Sequence, residues 1–206
     1  MAKNPNHRIP DSESTSTTLI QQLKSGDNES WSFFVFVYRP LIHSWALRFG
    51  ASASEAEDVQ NEVVASVLDS LESFEKGERK GSFRKWLKTI THRRTVDHLR
   101  KRGAAADGGT QALDQINQIP EPHEETATSA PEDNDRKVEL DRALAYWKNR
   151  VKPHTYQAFH RVVVEGHEPQ DVANDLEIDI QVVYQACSRM LTRLRNHLGE
   201  DFDQPE

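Results

Sequence analysis

Cysteine is nearly absent. Cys187 is the only one in 206 residues, which excludes an internal disulfide and any zinc site built on thiolates. Long apolar runs are missing as well: nothing approaches the roughly 20 residues that a bilayer-spanning helix needs. The opening MAKNPNHRIPDSESTST has no apolar segment of the kind a secretory leader carries. The expectation is a cytoplasmic protein without membrane insertion. Histidines are scattered, and His154, His160 and His167 match no usual ligand spacing, so neither a metal nor another cofactor is expected. Hydrophobic residues make up only 36% of the chain against 29% charged. That balance suits small helical units with much exposed surface better than a single deep core.

Against a formal net charge of -7, one stretch inverts the sign. Ser82 to Arg102, SFRKWLKTITHRRTVDHLRKR, carries Arg84, Lys85, Lys88, Arg93, Arg94, Arg100, Lys101 and Arg102 against the single acid Asp97, with His98 beside it. Phe83, Trp86, Leu87 and Ile90 recur at three- and four-residue spacing, which predicts a helix with one apolar stripe and a cationic surface. Such a surface asks for a polyanion, or it balances acidic neighbours.

The rest of the chain reads as helices and breaks. Residues 1–16 are polar and aperiodic, a tail. Leu19, Ile20 and Leu23 predict a short helix ending near Gly26. Trp31, Phe34, Val35, Tyr38, Leu41, Ile42, Trp45 and Phe49 form a longer stripe that ends at Gly50, with Pro40 inside it as a candidate kink. Ser52 or Ser54 caps a third helix, whose buried stripe is Ala56, Val59, Val63, Val67 and Leu71. Its other side carries Asp58 and Glu62 four residues apart, a spacing that suits a basic partner helix and can also ligate Mg²⁺. In the loop from Glu72 to Gly81, Phe74 is either tucked in as a lid or free to stack on something flat.

Between Gly103 and Asp135 there are eight acids and not one Lys or Arg, the composition of a linker. Beyond it come a helix with Leu140, Leu144, Trp147 and Val151, and another over His154 to Glu165 that buries Tyr156, Phe159 and Val163. A short helix follows from Pro169, with Val172 and Ala173 inward, then a tight connection and a long helix capped by Asp179. This order is that of a helix-turn-helix. The exposed side of the long helix offers Gln181, Tyr184, Gln185, Ser188 and Arg189 to a major groove. The fold expected is therefore all-α: two small helical domains, 17–102 and 136–199, joined by a flexible acidic linker over 103–135, with tails at 1–16 and 200–206.

At this point both halves resemble the extracytoplasmic-function (group four, sigma-70 family) sigma factors of bacterial RNA polymerase. In the first half the matching pieces are AEDVQNEV at Ala56 to Val63, GSFRKWL at Gly81 to Leu87, then TI, RR and DHLRKR ending at Arg102. In the second they are the Pro169 to Leu198 helix-turn-helix and the two helices before it. The resemblance implies that Glu57, Asp58, Asn61 and Glu62 bind the basic coiled coil of the polymerase largest-subunit clamp. It implies that the basic helix, His98 included, and the loop with Phe74 melt and hold the promoter minus-ten element. The second domain would read the minus-thirty-five element and touch the polymerase flap. Core RNA polymerase and promoter DNA are then the partners, an anti-sigma factor is a further one the family admits, and no residue is catalytic. The chain departs from the family pattern in having Asn61 where Gln is usual and Arg93 where Asn is frequent. From Arg136 onward it has ten Lys and Arg against twelve Asp and Glu, so DNA binding by this half alone is expected to be weak. Two other readings stay open: a helix-turn-helix regulator acting without polymerase, and an all-helical Mg-dependent nucleotide phosphohydrolase using Asp58 and Glu62.

Overall fold

The computed structural model of the chain describes residues 16–74, 82–105 and 130–198. These residues form eight α-helices and short irregular turns, an all-α architecture of two helical regions. The first comprises α1 (Ser16–Lys24), α2 (Asn28–Arg48), α3 (Ala53–Ser70) and α4 (Ser82–Ala105); the second comprises α5 (Ala130–Lys148), α6 (Pro153–Phe159), α7 (Pro169–Asp175) and α8 (Ile180–Leu198). The expected tails apart from Ser16, most of the 103–135 linker and residues 75–81 lie outside the described residues.

Local chemistry accounts for the first region. Gly26 takes a left-handed φ of 76° between α1 and α2, a conformation that costs glycine nothing. Asp27 then caps α2, its carboxylate accepting from the Ser30 amide at 2.7 Å, and hydrogen bonding from the Ser30 side chain and then its amide holds the Asp27 carboxyl below the usual range. Pro40 sits inside α2 without ending it. Of the two serines that could cap α3, Ser52 does so, in a reciprocal capping box with Glu55. Ala56, Val59, Val63 and Val67 are its buried stripe. In α4 the stripe extends beyond Ile90 to Val96 and Leu99, passing through the buried Thr91 and Thr95. Each of these threonine hydroxyls donates to the carbonyl one turn back, which satisfies it without water. The helix runs through Gly103 to Ala105 rather than stopping at Arg102.

Two features of the second region differ from the sequence expectation. Helix α5 begins at Ala130, inside the stretch read as linker, and Asp135 is buried in it. The helix expected to run to Glu165 ends as regular α-helix at Phe159 and continues as a π turn over His160–Val164. The wider turn shifts the register, so Val163 is 42% exposed instead of buried. Helices α6 to α8 enclose a small core of Ala158, Val172, Ala173, Val183, Ala186 and Cys187. Burial there pushes the Cys187 thiol up, away from reactivity. The main core spans both regions: Leu19, Phe33 and Phe34 from the first share one cluster with Tyr146, Trp147, Met190 and Leu198 from the second. Helix α5 lies against α2, and α1 against α8.

Candidate functional site

Helices α3 and α4 pack side by side and run in opposite directions, because Glu55 meets Arg102 at 3.0 Å while Ser66, later in α3, meets Arg94, earlier in α4, at 2.8 Å. Between these lies the contact of Glu62 Oε1 with His98 Nε2 at 3.1 Å. The two oppositely charged helices therefore neutralise one another in part along their seam. What remains outside the seam is the candidate surface. On α3, Glu57, Asp58 and Asn61 are exposed, and Glu62, half-buried, lies at the edge of the seam. Asn61 Oδ1 also accepts from Arg39 Nη2 at 2.8 Å, so its amide is already oriented by α2. Beside this acidic face a groove of 530 Å³ runs over α2, lined by Phe36, Arg39, His43, Glu57, Asn61 and Arg142 among others.

The basic residues of α4 divide by environment. Lys85, Arg93, Arg100 and Lys101 are exposed, and Lys88 is half-buried. Arg94, His98 and Arg102 are engaged by α3 as described. Arg84 differs from all of them: its side chain is 15% exposed and its guanidinium meets Glu139 of α5 at 2.6 Å. Phe74 takes the tucked arrangement of the two that its sequence allowed. It is 9% exposed, with ring centroids 4.7 Å from Trp86 and 5.8 Å from Phe83. Lys24 Nζ donates to the carbonyls of Phe74 and Glu72, which fixes the backbone at Phe74.

In the second region α7 and α8 are joined by a tight connection in which Glu177 adopts a left-handed φ of 53°. The Asp179 carboxylate accepts from the Gln181 amide at 2.7 Å and starts α8. Gln181, Tyr184, Gln185, Ser188 and Arg189 are all exposed, while Val183, Ala186, Cys187 and Met190 are buried. Five polar or aromatic side chains are thus offered by one helix whose opposite face is held by packing. Among the described residues no group of three or more His, Cys, Asp or Glu side chains could hold a metal ion. Nor is any described helix long and apolar enough to cross a membrane.

Sequence reasoning missed Asp135 and Glu139. Asp135 accepts from Trp45 Nε1 at 2.7 Å and Arg48 Nη2 at 2.8 Å; Glu139 accepts from Tyr38 and Arg84. A signal existed. These acids stand four apart, and Ala143 and Trp147 continue the same spacing, so they belong to the buried stripe of α5.

Residues 35–105 match the family model described as Sigma-70 region 2. That interval holds most of α2, all of α3 and α4, and so the acidic face and the basic helix together. The chain is also similar to the ECF RNA polymerase sigma factor SigW of Bacillus subtilis (strain 168), at 29% identity over 105 residues, 48% of this chain. It spans about half the length of that relative, 54%.

Proposed function

We propose that the chain is a promoter-specificity subunit that binds core RNA polymerase and directs it to start transcription. The observation that carries this reading is the match of residues 35–105 to Sigma-70 region 2, because that interval contains the acidic face of α3 and the basic helix α4. Glu57, Asp58, Asn61 and Glu62 meet the clamp coiled coil of the polymerase, whose basic surface they complement. Lys85, Lys88, Arg93, Arg94, His98, Arg100, Lys101 and Arg102 meet the phosphates and bases of the minus-ten element, and Arg84 belongs to the same set although it is paired with Glu139 in this structure. Phe74 and the residues that follow it act on the opened strand. Helices α7 and α8 act as a helix-turn-helix, with Gln181, Tyr184, Gln185, Ser188 and Arg189 reading the minus-thirty-five element beside the polymerase flap. The chain contributes no catalytic residue; phosphodiester chemistry belongs to the polymerase, and this subunit supplies the address.

Charge explains why the two halves need a common scaffold. Ten basic against twelve acidic residues from Arg136 onward leave little counterion release to drive DNA binding by the second region alone. Joined to polymerase, each weak contact becomes intramolecular. The test is to add the full chain to core polymerase on a genomic DNA template and map transcript 5′ ends. Discrete start sites that require the chain are expected. Sequence-specific DNA binding with no effect on polymerase would instead favour a free-standing regulator, and Mg-dependent nucleotide hydrolysis would favour a phosphohydrolase.

A further inference from the structure

The two helical regions meet through charge as well as through apolar surface. Glu139 on α5 is 1% exposed, and its carboxylate accepts from Tyr38 Oη at 2.5 Å and from Arg84 Nε at 2.9 Å. One turn earlier Asp135, 4% exposed, accepts from Trp45 and Arg48. All four donors belong to the first region. Neither carboxylate could stay buried if the regions parted, and neither is needed for adhesion, since apolar residues of similar volume hold helices together at least as well. A buried ion pair instead makes a contact conditional, because removing one partner leaves the other charge without compensation.

We propose that Glu139, supported by Asp135, is a charge latch that keeps the chain closed and withholds Arg84 from nucleic-acid phosphate until the regions separate. A carboxylate and a phosphate offer a guanidinium the same kind of charged acceptor, so Glu139 takes the place that a backbone phosphate would take. Lys85 and Arg93 on the same helix are exposed, whereas Arg84 is committed across the interface. The closed arrangement also sets Arg142 of α5 over the Phe36 ring at 4.4 Å, in the groove beside Glu57 and Asn61. Opening therefore clears the border of the acidic face in the same movement. The masking half of this proposal rests on the DNA-contacting role given to α4 above; the latch half does not.

Two measurements on the full chain separate them: the radius of gyration by small-angle X-ray scattering, and affinity for a fluorescein-labelled single-stranded oligonucleotide of mixed sequence. Glu139→Gln is expected to enlarge the radius and tighten oligonucleotide binding about tenfold, the gain when a competent form rises from about a tenth of the population to nearly all of it. Arg84→Gln combined with Glu139→Gln restores a neutral hydrogen-bonded pair, so the double variant is expected to be compact again and to lose the gain. Should Glu139→Gln also lose helix content by circular dichroism, recovery of compactness and helix in the double variant still reports the pairing. A double variant as expanded as the single one, or a single one as compact as the parent chain, overturns the latch and leaves the proposed function untouched. Expansion without tighter binding overturns the masking, and with it the place of Arg84 on the DNA surface.

Discussion

His197 shows how a polar side chain on an apolar stripe is accommodated. It is 9% exposed, its ring 4.4 Å from Phe33 and 5.4 Å from Trp147, and Nδ1 meets the Arg193 carbonyl at 2.9 Å. Burial pushes its pKa below the ordinary histidine value, against the Arg193 hydrogen bond and the nearby Glu29 and Asp27, which favour the charged form; the Arg193 cation adds to the lowering. The unfolded chain therefore binds a proton at this site more readily than the folded chain, so stability falls as pH drops below the usual histidine range. Thermal unfolding between about pH 7 and about pH 5 should show a falling midpoint in the parent chain and a flatter profile in His197→Gln. Equal slopes in the two would mean that other groups dominate. Phe74 carries a related lesson. Its sequence context of Glu75, Lys76, Glu78, Arg79 and Lys80 left its ring free or tucked, and only the arrival of Phe83 and Trp86 from α4 decides it.

At the scale of elements, legibility followed periodicity. The stripes of α3 and α8 could be read from spacing alone, because apolar residues there recur every three or four positions and caps such as Ser52 and Asp179 mark the starts; that of α2 could be read only in part, since the expected Trp31 and Val35 are half-buried while Phe33 and Val37 are fully buried. Helix α5 could not be read in full. Its inward face begins with Asp135 and Glu139, and acids in an acid-rich stretch read as solvent-facing until donors from another part of the chain are known. The π turn at His160–Val164 was equally hidden, since no residue type signals it; Val163 and Val164 both stand exposed in it. Helix α8 offers the clearest test of a whole element. If its outer face reads bases, Gln185→Ala or Arg189→Ala should change preference at particular upstream promoter positions by about 1 to 3 kcal/mol per lost bidentate pair. Promoter-variant binding by the polymerase complex measures this, and a uniform loss across variants would mark both residues as phosphate contacts.

For the molecule as a whole, composition marked two regions and could not say how they sit. The acid-only stretch after Gly103 reads as a tether, yet Phe33, Tyr146, Trp147 and His197 form one aromatic cluster across the regions, with Phe33 and Tyr146 edge to face at 5.2 Å. Which faces of two helical units find each other depends on shape and on pairings such as that of Tyr38 with Glu139; each residue lies on the stripe of its own helix, but nothing periodic in the sequence matches one stripe to the other. The acidic surface of α3 was legible because it lies opposite a stripe of valines, and it bears the central claim, that this helix docks the chain on RNA polymerase. The most direct measurement is affinity of the full chain for core RNA polymerase, with and without Asp58→Lys and Glu62→Lys together. Asp58 is exposed and Glu62 contributes one part-buried contact, to His98, so the double variant should keep its helix content while losing stable association with the core enzyme. Undiminished affinity in a folded double variant would contradict the claim and remove α3 from the interface.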